Sequence, residues 1–87
     1  MAKRRSDIRS AINKFRFRRD GKIYYVVYID RDPLMGERLS KVPLIRVVKV
    51  TGWAVYLDDG DTVIPLHRIV EVRDERGAVV WRRKGWL

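Results

Sequence analysis

Proline at position 65 sits inside a run of residues that otherwise favours β-structure, residues 62–72. Proline has no amide proton to give to a strand ladder, so this run cannot be one uninterrupted central strand. It implies a bend, a bulge or a sheet edge, and the residues after it are aimed differently from the strand before it. Those residues are Leu66, His67 and Arg68, and His67 is the only histidine of the chain. In an apolar interior a histidine–arginine pair would need a partner for each polar group. The pair therefore suits a sheet surface, where a phosphate could bind it. The plainer alternative is a strand-end histidine beside an ordinary surface ion pair.

The remaining organisation follows from turn signals and periodicity. Ser6 is suited to cap a helix and Asp7 to its first turn. Ile8, Ala11, Ile12 and Phe15 recur on one helical face, leaving Arg9, Asn13 and Arg16 to point elsewhere. Phe17 is expected to close the same core before the turn Arg18-Arg19-Asp20-Gly21. Residues 23–29 read as a strand and 31–40 as a loop marked by Asp32-Pro33 and Gly36. Over residues 42–50, Pro43 makes either an edge strand or the start of a short turn, and only 47–50 is a firm strand; it is expected to form a hairpin with 53–57 about Thr51-Gly52, with Trp53, Val55 and Leu57 on one face. The tight-turn pair Asp59-Gly60 leads into the Pro65 run, and Arg76-Gly77 into a last strand over residues 78–83. No internal repeat is apparent. The expected fold is α+β: one N-terminal helix on a curled antiparallel sheet or small open barrel of about five strands. An SH3-like barrel with a frayed N-terminal arm is the alternative.

The chain of 87 residues makes a single domain, with residues 1–5 as a basic tail and 85–87 as a C-terminal tail. Cysteine is absent, and one histidine cannot build a multi-histidine metal centre. No apolar stretch approaches the ~20 residues of a membrane span, and no signal-peptide pattern follows Met1, so a cytoplasmic protein is expected. Glutamine is absent, Asn13 is the only asparagine and charged residues make up 36% of the chain, a pattern that fits a thermophilic source.

The net charge of +9 is concentrated at the ends. Residues 1–22 hold nine Lys/Arg against two Asp, Arg82-Arg83-Lys84 add three positive charges, and residues 23–81 carry eight basic against nine acidic groups. If the ends meet, Arg16, Arg18, Arg19, Arg82, Arg83 and Lys84 form one basic face. Fourteen arginines against six lysines favour two-pronged phosphate contacts, and nucleic acid is the first partner to name.

The segment Ile64-Pro65-Leu66-His67-Arg68-Ile69, with Glu71 and Val72 after it, resembles the signature of a family of small archaeal proteins. That family, long catalogued as a domain of unknown function, has been proposed to be an RNA-repair-associated domain that recognises RNA ends carrying a cyclic phosphate. Ile12-Asn13-Lys14-Phe15-Arg16, Val27-Tyr28-Ile29-Asp30-Arg31, Val42-Pro43 and Val79-Val80-Trp81-Arg82-Arg83 match in the same order, so the resemblance covers about residues 6–84. Phe17-Arg18-Arg19 departs from the family's Trp-Asp-Pro, and Asp32 replaces its glycine.

The resemblance implies a site containing His67 and Arg68, with Arg31 as a third member and RNA as the ligand. A 2′,3′-cyclic phosphate is a monoanion with two free oxygens, suited to an arginine fork plus one further donor. Tyr28, Tyr56 or Trp53 could stack on the terminal base, core packing being the plainer role for Tyr28 and Trp53. Acid–base hydrolysis usually needs two groups of matched roles, and the chain offers one histidine, so a binding module without cofactor or metal is expected rather than an enzyme. It would serve a separate RNA-repair enzyme. Two alternatives remain: a non-specific basic nucleic-acid or ribosome-associated protein, and a protein-interaction domain for an acidic partner.

Overall fold

The helix begins where the apolar stripe begins. In the computed structural model, which describes residues 7–85, α1 spans Asp7–Arg16. Ala11, Ile12 and Phe15 are buried and Ile8 packs against the same core, as the spacing predicts. The Ser6 cap, the basic stretch 1–5 and Trp86 lie outside the described residues. Phe17 does not join this core and is 66% exposed. Two residues beyond Phe15 is just over half a helical turn, so the ring projects from the opposite side, where the Arg16 guanidinium covers it at 4.7 Å.

Among the described residues seven strands follow, in two antiparallel sheets, where the sequence suggested about five in one. They are β1 (Tyr24–Asp32), β2 (Gly36–Pro43), β3 (Val47–Val50), β4 (Ala54–Leu57), β5 (Val63–Pro65), β6 (Ile69–Asp74) and β7 (Val79–Arg82). The first sheet runs β2-β1-β6-β7 and the second β3-β4-β5. Two differences account for the count. The expected loop over residues 31–40 is mostly strand. β1 continues to Asp32, whose carboxylate accepts N–H bonds from Leu34 and Met35, and Gly36, at φ +81°, turns the chain into β2. As an edge strand with Glu37, Arg38 and Lys41 exposed, β2 lacks the apolar alternation that marks a half-buried strand. The Pro65 run also divides, as the proline implies, into β5 and β6.

What divides it is a single turn of 3-10 helix, η2 (Leu66–Arg68), and the chain uses the same device once before, at η1 (Leu44–Arg46). Val42-Pro43-Leu44-Ile45-Arg46-Val47-Val48 and Ile64-Pro65-Leu66-His67-Arg68-Ile69-Val70 are a short internal repeat that sequence reading overlooked. The backbone agrees closely: Pro43 and Pro65 precede the turns at φ −68° and −60°, and the N–H groups of Val47 and Ile69 close them onto the carbonyls of Leu44 and Leu66. Each corner carries a strand out of one sheet and into the other, and each drives its leucine inward. Leu44 and Leu66 meet Ile12, Phe15, Val26, Val55, Leu57, Ile64, Ile69 and Val72 in one core between the sheets, with α1 over it. A register shift opposite Val27 and Tyr28 adds a bulge to β6 just after η2.

Candidate nucleic-acid interface

In a 3-10 turn, successive side chains leave the axis about a third of a turn apart. With Leu66 buried, His67 and Arg68 must therefore project to two different sides of η2. His67 is exposed and faces a groove of about 530 Å³ whose floor includes Ile8 and Leu66 and whose walls carry Arg9, Trp53 and Arg83. Arg68 faces a separate depression of about 120 Å³ that it shares with Tyr28, Asp30 and Thr62. The histidine–arginine pair thus does not converge on one point. Arg31 joins neither depression: it lies near the β1–β2 hairpin, ion-paired with Glu37 at 2.9 Å.

The His67 groove is assembled from four parts of the chain, and bonds tie Trp53 and Arg83 to η2. The Leu66 amide donates to the Trp53 carbonyl at 2.8 Å, which holds Trp53 beside the turn. The Arg83 guanidinium donates from Nε to the Ile69 carbonyl at 2.8 Å and from Nη2 to the Leu66 carbonyl at 2.6 Å. Arginine thereby satisfies carbonyls at the end of η2 while its other donors remain beside the groove. The Arg83 amide also bonds the Val70 carbonyl at 2.8 Å, continuing the β7 edge past Arg82. Arg9 comes from α1, so the N-terminal helix and the C-terminal strand do meet. A neighbouring cleft between Lys14 and Phe15 of α1 and Val80 and Trp81 of β7 follows the same seam.

Trp53 stands out among the aromatic side chains. It was expected within a strand, but β4 starts at Ala54, and the Thr51 hydroxyl accepts N–H bonds from both Trp53 and Ala54. That turn takes Trp53 out of the strand alternation and leaves it 62% exposed. Tyr56 packs nearly perpendicular to it, with ring centroids 6.2 Å apart, while most of the indole stays exposed. No carboxylate lines the groove among the described residues, whereas Arg9 and Arg83 do. An exposed indole, an imidazole and two guanidiniums around one concavity can stack a base and bind its phosphate.

The internal repeat gives a built-in comparison. At the first corner Ile45, 86% exposed, stands where the second has His67. Arg46 stands where the second has Arg68, and it is neutralised by Asp58 at 3.1 Å and Asp59 at 3.6 Å. Those two carboxylates belong to the acidic turn, whose Asp59 also takes the hydroxyl and amide of Thr62 and the amide of Asp61. These bonds, the Thr62 hydroxyl foremost, hold the Asp59 carboxyl down at about 2. Arg68 forms no ion pair among the described residues, although Asp30 lines the same depression, and its buried Nε has no hydrogen-bond partner. The first corner's arginine is thus ion-paired and the second corner's is not.

The remaining basic residues are differently employed. Arg18 pairs with Asp20 at 3.0 Å, and Arg82 with Glu71 at 3.1 Å, while Arg19 and Lys84 are exposed. Sequence reasoning missed Arg9, placed on the outward side of the helix, and the bonding role of Arg83. The Pro-Leu-x-Arg repeat was a signal that could have singled out the second corner.

Residues 5–83 match the model of the MJ1316 RNA cyclic group end recognition domain. An UPF0248 protein of Aeropyrum pernix is 47% identical over 90 residues, covering 100% of this chain and 89% of its own. UPF0248 proteins of Metallosphaera sedula and Saccharolobus solfataricus are 42% and 34% identical, covering 76% and 87% of this chain and 77% and 95% of their own. No solved structure matches the chain. With a family model spanning both corners, the helix and the last strand, the chain belongs to the MJ1316 RNA cyclic group end recognition domain family.

Proposed function

We propose that this protein binds the 3′ end of RNA bearing a 2′,3′-cyclic phosphate, with the terminal nucleotide in the His67 groove. One observation carries this reading: an exposed indole, the single histidine and two arginines line one groove that lacks a carboxylate among its described residues. Trp53 stacks on the terminal base, which at an RNA end is free of one neighbour. Arg9 and the unoccupied donors of Arg83 take the two free phosphate oxygens, and His67 donates to a phosphate or ribose oxygen. Recognition without turnover is the expected outcome, because the groove offers one imidazole and no second acid–base partner among its described lining residues. A cytoplasmic RNA-repair enzyme is the natural recipient of an end so held.

A second reading places the phosphate on the other flank of η2, at Arg68 beside Tyr28, and the unpartnered Arg68 Nε favours it. The two readings separate in one experiment. Trp53→Ala is expected to weaken binding of a short RNA with a cyclic-phosphate end by about fivefold or more, the lower end of the effect of removing a stacking partner. Tyr28→Phe should leave that affinity unchanged, because Tyr28 does not line the groove. Fluorescence anisotropy measures both. Loss in Arg68→Lys with no loss in Trp53→Ala would move the end to the Arg68 side.

A further inference from the structure

The first sheet has an outer face turned away from the core, and the strand register sets what it displays. Tyr25 lies opposite Arg73, Val27 opposite both Lys41 and Glu71, and Glu71 opposite Arg82. These side chains share one face, whereas Tyr24, Val26 and Val72 between them enter the core. Two arginines thus flank one carboxylate, with a lysine and an aromatic ring farther along the same face, and that carboxylate is the unusual element. Glu71 is only 4% exposed. Arg73 reaches its Oε1 with Nε at 2.7 Å and Nη2 at 2.6 Å, and Arg82 Nε reaches its Oε2 at 3.1 Å.

The two arginines are held in place without being used up. Their side chains are 40% and 47% exposed, and Nη1 of Arg73 and both Nη atoms of Arg82 have no other partner among the described residues. A buried carboxylate that orients two partly exposed guanidiniums lowers the entropy lost when they take a ligand. Beside them the Lys41 ammonium lies 5.1 Å from the centre of the half-buried Tyr25 ring. Fixed, planar, positively charged donors next to an aromatic ring match the alternating phosphates and bases of a single strand. An acidic peptide would use the charges but not the ring.

We propose that this sheet face is a second RNA-contacting surface, which holds the single strand leading to the end bound in the groove. Tyr25 is its stacking platform, and Lys41, Arg73 and Arg82 are its phosphate contacts. β7 joins the two surfaces, because Arg82 stands on the sheet face and the next residue, Arg83, in the groove. The inference rests on the reading of this protein as an RNA binder, but it predicts a dependence on RNA length, not on end chemistry.

The test uses three RNAs with the intact protein: a dinucleotide with a cyclic-phosphate end, and strands of about 12 nucleotides, within the usual range of single-strand sites, ending in cyclic phosphate or in hydroxyl. Tyr25→Leu, which keeps the apolar cover, and Lys41→Ala should each weaken both long RNAs by about three- to tenfold and leave the dinucleotide unchanged. Tyr25→Phe, which keeps the stacking ring, should bind like the wild type. Equal losses for the dinucleotide and the long strands would overturn the proposal, and so would no loss for any of them. Competition of the long strands by polyglutamate that depends on Lys41 but not on Tyr25 would replace it with an acidic-peptide surface. If the wild type ignores the end of the RNA but these variants still lose the long strands, the groove reading fails and the sheet-face proposal stands.

Discussion

Replacing Arg73 and Arg82 together by methionine is expected to lower the unfolding free energy by about 3–5 kcal/mol at neutral pH, the cost of leaving a buried charge without partners. The residue left behind is Glu71, 4% exposed in the middle of the first sheet. In the wild type, burial pushes its carboxyl up, but the hydrogen bonds and charges of Arg73 and then Arg82 outweigh burial and hold it below the ordinary carboxylate range. A depressed folded value means that the bridge contributes stability above the unfolded value, and that this contribution is lost as pH falls through the folded value. In the double variant only burial remains, so the direction reverses. The penalty is then full at neutral pH and shrinks as acid protonates the carboxyl. Adding Glu71→Gln to the double variant should restore most of the loss at neutral pH. Urea titrations of the three proteins at neutral and mildly acidic pH provide the check. A double variant as stable as the wild type would reduce the network to a surface ion pair of small effect.

His67→Ala combined with Arg9→Ala should weaken binding of cyclic-phosphate RNA by about a hundredfold, with little effect on hydroxyl-ended RNA. Each hydrogen bond to a charged group contributes roughly 1.5–3 kcal/mol, and neighbouring contacts are not fully additive, so the pair is set near the value of one strong bond. The fold should tolerate both changes, since both side chains are exposed and neither contributes to the apolar core. Equal losses for both RNA ends would make these residues members of a general basic surface. Isothermal titration with the two RNAs separates the outcomes.

The helix was legible because Ile8, Ala11, Ile12 and Phe15 repeat at its period, and the corner at Pro65 because proline cannot continue a strand. The second strand was not, since an edge strand with polar residues on its exposed side has the composition of a loop. Glu71 was equally hidden. In Ile69-Val70-Glu71-Val72-Arg73 alternation assigns it to solvent, and only the pairing with β7 brings Arg82 over it. His67 was found at the surface because the bend releases it from strand alternation. Trp53 was a candidate stacking ring and Arg83 a member of the expected basic face, but their meeting with Arg9 beside His67 was not legible, because the three come from a turn, the far end of the chain and a helix. Their convergence is a product of the two corners and of the bonds Arg83 makes to η2.

Matched short RNAs of one sequence, ending in 2′,3′-cyclic phosphate, linear phosphate or hydroxyl, titrated into the wild-type protein at one salt concentration, test the central claim most directly. The groove accounts for a monoanion held against a ribose and a stacked base, so the cyclic end should bind about tenfold or more tighter than the hydroxyl end, the effect of one charged hydrogen bond. It should also bind tighter than the linear phosphate, and raising the salt should weaken all three without removing their order. Three equal affinities that fall together with salt would contradict end recognition and leave a basic surface without a site.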